Sequence, residues 1–204
     1  MKRINDIFYS LQGEGHNTGR AAVFVRFAGC NLRCPFCDTE FDSFREMSDE
    51  EIVADIKRLL TAEGVQQTIG LLVVLTGGEP TLQVDEAFVD LLHSNGFEVA
   101  MESNGTRPAP QNIDWLTVSP KNLAQPFHKE GKKPDEVKVV FTDVADAERY
   151  SSTLWKGVEH FYLQPCDTGD PVRNRLITNR CVDYIKEHPE WRLSLQTHKL
   201  VGFK

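Results

Sequence analysis

The chain has 204 residues, 40% apolar and 26% charged, enough to bury one core and short for two, so a single domain over 1–204 is expected. A formal charge of −7 leaves no basic stripe to neutralise a phosphate backbone, which makes a small molecule the expected partner rather than nucleic acid. The opening MKRINDIFYSLQGEG lacks a signal peptide's apolar run and nothing approaches the roughly 18 apolar residues of a membrane span, so a cytoplasmic protein without a membrane partner is expected.

Taken in chain order, apolar runs of strand length occupy 22–27, 71–75, 99–101, 115–118, 137–141, 161–163 and 193–195. Helical patterns separate several of them. Ser48 opens the first, with Glu51 completing a capping box and Ile52, Val53, Ile56, Leu59 and Leu60 in one stripe that ends near Gly64. A second covers about 85–95, with Gly96 placed for a left-handed C-terminal residue. A third runs from about 172 to 188 and stops before Pro189. Alternating strands and helices predict an α/β fold with mostly parallel strands, either an open sheet or all or part of a (β/α) barrel.

Six polar or glycine-rich segments, AGCNLRCPFC, TGGEPT, ESNGT, SPK, QPCD and QTHK, each follow an apolar run. In a parallel architecture those carboxyl ends share one face, where loops assemble a site. Three of the five cysteines, Cys30, Cys34 and Cys37, fall in the first segment with the spacing C-x3-C-x2-C, which suits metal ligation in a reducing compartment. Cys166 and Cys181 read as small buried hydrophobes. A structural zinc takes four ligands, often as two paired knuckles, and no second knuckle exists. Three thiolates on a four-iron cluster would instead leave one iron open. Spacing alone leaves both metals possible.

With Phe36 before the last cysteine and GGEP at 77–80, this cluster resembles the radical S-adenosylmethionine superfamily, whose fold is a partial (β/α) barrel. The resemblance implies a [4Fe-4S] cluster on Cys30, Cys34 and Cys37 whose open iron chelates S-adenosylmethionine, and a 5′-deoxyadenosyl radical that abstracts hydrogen from substrate. A narrower likeness runs nearly end to end. FYSLQGEG at 8–15, VRFAGCNLRC, CDTEF, TGGEPTL, ESNGT, SPK, QPCD and QTHK resemble the 7-carboxy-7-deazaguanine synthase family. That likeness implies a carbon-nitrogen lyase of queuosine and 7-deazapurine biosynthesis that contracts 6-carboxy-5,6,7,8-tetrahydropterin to 7-carboxy-7-deazaguanine with loss of ammonia. It also implies Mg2+, a flavodoxin-like or ferredoxin-like electron donor and a homodimer.

Carried over by position, Leu11, Gln12, Gly13 and Glu14 match pterin contacts, although LQGEG alone would pass for a surface turn. Arg26 matches a substrate-binding arginine whose planar fork suits a carboxylate, the alternative being a structural ion pair. Thr39 matches a magnesium ligand and Thr76 a substrate contact. Phe36, Asp38, Gly78, Glu79, Ser119, Pro120, Lys121, Gln164, Pro165, Cys166 and Asp167 fall at cofactor positions, with Glu79 expected toward the methionine ammonium and Lys121 toward its carboxylate. Glu102, Ser103 and Asn104 are expected on the cofactor side or as a plain turn. The family's terminal residue reaches the substrate, and here that position is Lys204, a departure in side-chain kind. His198 reads as a supporting or core histidine, and 128–133 as a solvated loop. Two rivals stand beside this reading: a radical activase acting on a partner protein, and a zinc-stabilised binding module.

Overall fold

A computed structural model describes residues 1–37, 43–121 and 131–204. Among them nine strands form one mixed sheet: β1 (Lys2–Leu11), β2 (Ala21–Phe27), β3 (Arg45–Met47), β4 (Leu71–Gly77), β5 (Phe97–Ser103), β6 (Trp115–Val118), β7 (Glu136–Phe141), β8 (His160–Pro165) and β9 (Trp191–Leu193). Their order is β3-β1-β2-β4-β5-β6-β7-β8-β9. From β2 to β9 every pairing is parallel, whereas β1 runs antiparallel to both β2 and β3. The sheet is open, so the barrel is partial. No helix among the described residues is long and apolar enough to cross a membrane.

Three helices form where the sequence predicts them. Helix α1 (Asp49–Ala62) carries the capping box, with Ser48 Oγ accepting from Glu51 N at 3.2 Å and Glu51 Oε2 accepting from Ser48 N at 2.7 Å. Asp85 caps α2 (Glu86–Ser94), and Gly96 follows it at φ +84°. A fourth helix in chain order, α4 (Pro171–Glu187), has Pro171 in its first turn and Asp170 as its cap. Two shorter helices, α3 (Val144–Arg149) and α5 (Thr197–Val201), have no apolar stripe long enough to show in the sequence.

The expected strand at 193–195 lies two residues earlier, because Trp191, 3% exposed, is what anchors this edge by packing edge-on against Phe161. Strand β1 was not predicted at all. Its alternation is broken by a register shift between Ile4 and Asp6, and only Lys2, Ile4 and Phe8 are buried.

Most of the apolar core lies between the sheet and the helices, where Val23, Val25, Leu75, Val99, Val137 and Val139 meet Ile52, Ile56, Phe88, Leu92 and Ile177. The other face of the sheet holds a smaller cluster of Phe8, Ala22, Phe24, Leu72, Val74 and Ala100. Above it, along the carboxyl halves of the strands, this inner face turns polar. Arg26 pairs in register with Thr76, and Glu102 with Thr117, while Lys138 and Gln164 continue the polar belt on β7 and β8. Strand alternation thus gives one side to the core and the other to a cavity.

Candidate active site

Beyond the carboxyl ends of the strands lies a cavity of about 440 Å³. Its wall includes Cys30, Cys34 and Cys37, which therefore share one space. The backbone holding them depends on two glycines. At Gly77 (φ +110°) a Cβ would lie 2.4 Å from Phe27 O, and at Gly78 one would lie 1.9 Å from Gly29 O, so the turn after β4 packs backbone to backbone against the cysteine loop. Gly78 N donates to Phe27 O at 2.8 Å and Glu79 N to Gly29 O at 2.9 Å.

Glu79 departs from its expected place. It is fully buried and absent from the cavity wall, and its carboxylate accepts from Thr81 Oγ1 at 2.6 Å, Ser103 Oγ at 2.8 Å and Asn104 N at 2.7 Å. Both oxygens are engaged in tying the GGEP turn to the end of β5. The carboxylate therefore shapes the wall, and Asn104 is held against the cysteines: its Nδ2 lies 3.9 Å from Cys30 Sγ, which also faces Leu32 N at 3.4 Å. Three soft thiols on one cavity wall, Cys30 with two amide donors turned toward it, are the donor set an iron-sulfur cluster takes, although among the described residues they are not gathered into a group that could hold a single metal ion. Burial raises the Cys30 and Cys34 thiols, and Lys121 opposes this at Cys34.

Lys121 itself is held down by burial and then by the charge of Lys138. Its ammonium donates to Ser119 Oγ at 2.7 Å and stands 5.6 Å from the Phe36 ring centre. Phe36, Gly78, Ser119, Lys121, Gln164, Pro165, Cys166 and Asp167 all line the cavity, whereas Pro120 does not. Asp38 and Thr39 lie outside the described residues. Cys166 is 7% exposed, and Cys181 is fully buried, which pushes its thiol up to about 12, as expected of a packing residue.

The segment after β1 crosses the inner face of the sheet. Gln12 Nε2 donates to Glu102 Oε1 at 3.0 Å, and Thr76 Oγ1 reaches Glu102 Oε2 at 3.3 Å. Gly15 N meets Ser194 Oγ at 3.0 Å, Thr197 N meets Gly13 O at 3.1 Å, and Gln196 Nε2 meets Glu14 Oε1 at 3.1 Å. These bonds join the residues after β1 to those after β9, near opposite edges of the sheet. His198 packs so closely on Gly13 that a Cβ there would fall 2.6 Å from its Nδ1.

The element that sequence reasoning missed is Lys138. It is 5% exposed, on the inner face of β7, bonded to Glu14 Oε2 and 3.7 Å from Glu102 Oε1. Burial would lower its pKa, but Glu102, Glu14 and Glu136 together raise it. Burial would likewise raise Glu14, and the Lys138 ammonium, with Gln196 and Gln164, instead brings it down to about 2. A lysine in the apolar run EVKVVF was the available signal.

Arg26 has a different character. Its guanidinium lies 5.3 Å from the Phe8 ring centre and makes no hydrogen bond or ion pair with any described residue. Its cross-strand neighbour Asp6 is taken by Lys204 Nζ at 2.8 Å. The structural ion pair weighed against a substrate role is thus absent among the described residues. Lys204 Nζ also stands 4.6 Å from the Phe8 centre, and Lys204 O accepts from Ser10 Oγ at 2.6 Å, so side chain and backbone both face this corner. Leu11, Gln12, Gly13, Glu14, Thr76, Glu102, Ser103, Asn104 and His198 also line the wall.

Residues 24–141 match the model of the Radical SAM superfamily. A 7-carboxy-7-deazaguanine synthase from Bacteroides thetaiotaomicron is 46% identical over all of both chains. One of the same name from Bradyrhizobium diazoefficiens is 41% identical over 98% of each. The crystal structure of QueE from Escherichia coli superposes with a TM-score of 0.73 at 30% identity, covering 95% of this chain and 93% of that one.

Proposed function

The chain belongs to the radical S-adenosylmethionine superfamily and to its 7-carboxy-7-deazaguanine synthase family, and from that premise we propose how its cavity serves the reaction. The protein is a carbon-nitrogen lyase that converts 6-carboxy-5,6,7,8-tetrahydropterin to 7-carboxy-7-deazaguanine with release of ammonia. The end-to-end match disfavours the activase and the zinc module. When bound, the [4Fe-4S] cluster and S-adenosylmethionine supply the 5′-deoxyadenosyl radical that takes hydrogen from the pterin.

One observation carries the division of labour: a single cavity is lined both by three thiols and by an arginine that has no hydrogen-bond or ion-pair partner among the described residues. Cys30, Cys34 and Cys37 are the cluster ligands in this reading. Lys121 pairs with the methionine carboxylate, and Phe36, Gly78, Ser119 and 164–167 border the cofactor. Arg26 takes the pterin carboxylate as a forked pair, and its lack of an ion-pair or hydrogen-bond partner among the described residues supports that role. Gln12 and Glu14 meet the donor and acceptor edge of the ring, with Leu11, Gly13, Thr76 and Lys204 around it. Thr39, outside the described residues, ligates Mg2+ together with substrate and water. A flavodoxin-like or ferredoxin-like protein delivers the electron, and the working form is a cytoplasmic homodimer.

Anaerobically reconstituted protein incubated with the tetrahydropterin should form the deazaguanine chromophore. Cofactor cleavage without that product would overturn the assignment. Thr39→Ala should lose magnesium stimulation while keeping its cluster, and an unchanged magnesium titration would remove Thr39 from the site.

A further inference from the structure

Lys138 has no part in the chemistry outlined above, yet its position is costly. Placing an ammonium on the inner face of a strand is tolerated only when carboxylates surround it. Here Glu14 approaches from the segment after β1, Glu102 from β5, and Glu136 from two residues earlier on β7, with the Lys121 ammonium after β6 opposing them. The side chains from β8 and after β9 that face Glu14 are the neutral Gln164 and Gln196, and His198 lies against Gly13. Four strands separate β1 from β7 in the sheet. The Lys138–Glu14 pair therefore ties the segment after β1 to β7 and fixes both a backbone segment and the charge of a carboxylate.

We propose that Lys138 is a positioning residue that holds Glu14 ionised and aimed at the substrate, so that the ring edge meets a fixed acceptor. This rests on the reading of Glu14 as a pterin contact. Without Lys138, Glu14 and Glu102 would face each other without their bridging cation, and one of them would retain a proton toward neutral pH. A protonated Glu14 offers a donor where the ring's own N–H groups need an acceptor.

The test compares wild type with K138M, K138R, E14Q and E14Q/K138M, each reconstituted with its cluster. The KM for the pterin should be independent of acid-side pH in wild type and K138R. In K138M it should rise by about tenfold or more, as expected when one partner of a buried charge pair is truncated, and rise further as pH falls, with kcat less affected. Adding K138M to E14Q should change KM less than about twofold if Lys138 acts through Glu14. That comparison also stands if K138M alone fails to fold, because the double variant removes both members of the pair. A wild-type KM in K138M, a pH-independent one, or a large extra loss in the double variant would overturn the proposal.

A substrate-free measurement separates this proposal from the assignment of the substrate. Carbon-13 NMR of the Glu14 side-chain carboxyl should show it ionised down to about pH 2 in wild type and titrating far higher in K138M. If that difference appears while no pterin is turned over, the positioning of Glu14 stands and the substrate fails. If product forms but Glu14 titrates alike in both proteins, the positioning role fails and the substrate stands.

Discussion

Glu14 links the cavity to acid pH. Its folded pKa of about 2 lies below the ordinary 4.5, so its contribution to stability is present above about pH 4.5 and is lost as pH falls toward 2. Glu14→Gln should make the acid limb of a stability-versus-pH curve shallower in that window, as read by urea unfolding at stepped pH. Arg26 lends itself to a second test. Arg26→Lys keeps the charge but not the planar fork, and should raise the pterin KM by about tenfold while leaving S-adenosylmethionine binding unchanged; equal affinities would place the carboxylate elsewhere. Cys34→Ala should abolish the cluster's visible absorbance and all turnover, since two thiolates do not hold the four-iron group. Sequence made these residues legible because thiols, a core-strand arginine and a glycine pair are rare in their settings. Lys138 stayed hidden because nothing in EVKVVF shows which face of the strand is wet. Glu79 was legible as important, but its partners within the chain were not, since whether a carboxylate turns to a cavity or to its own turn depends on Ser103 and Asn104, which arrive from another strand.

At the scale of elements, the helices and central strands follow from local pattern. The capping box of α1 was readable from Ser48 and Glu51, and Ser48→Ala should lower unfolding free energy by about 1 kcal/mol, measurable by denaturant titration. Parallel strands β2, β4, β5, β7 and β8 were readable because burial on the helix side and partial burial on the inner side give near-continuous apolar runs. Strand β1 escaped because it is antiparallel, bulged and half exposed, and α5 because five residues make barely more than one turn. Gly15 shows how a turn enforces a strand's partner. At φ +66°, with a Cβ position 2.1 Å from Glu136 Oε1, it admits no side chain without displacing a buried carboxylate. Gly15→Ala should cost about 1–3 kcal/mol and lower the melting temperature, whereas Gly19→Ala, with nothing within 4 Å of its Cβ, should cost less.

Over the whole molecule, an open sheet and a lined cavity were foreseeable from strand-helix alternation and from polar segments at the carboxyl ends. The closure was not. It depends on hydrogen bonds between residues about 180 positions apart, such as Gly15 with Ser194 and Gln196 with Glu14, and no local pattern reports contacts of that span. The hydrogen bonds that bring the cysteine loop, the GGEP turn and the end of β5 together, in contrast, all fall between Phe27 and Asn104. As the chain leaves the ribosome, the thiol corner can thus take shape well before the pterin corner, which waits for residues 194–198 to pair with 13–15. An incompletely synthesised copy would hold the thiols while lacking 164–167 at the cofactor's border and 194–198 at the pterin's, so the last third of the chain decides whether the thiols have anything to act with.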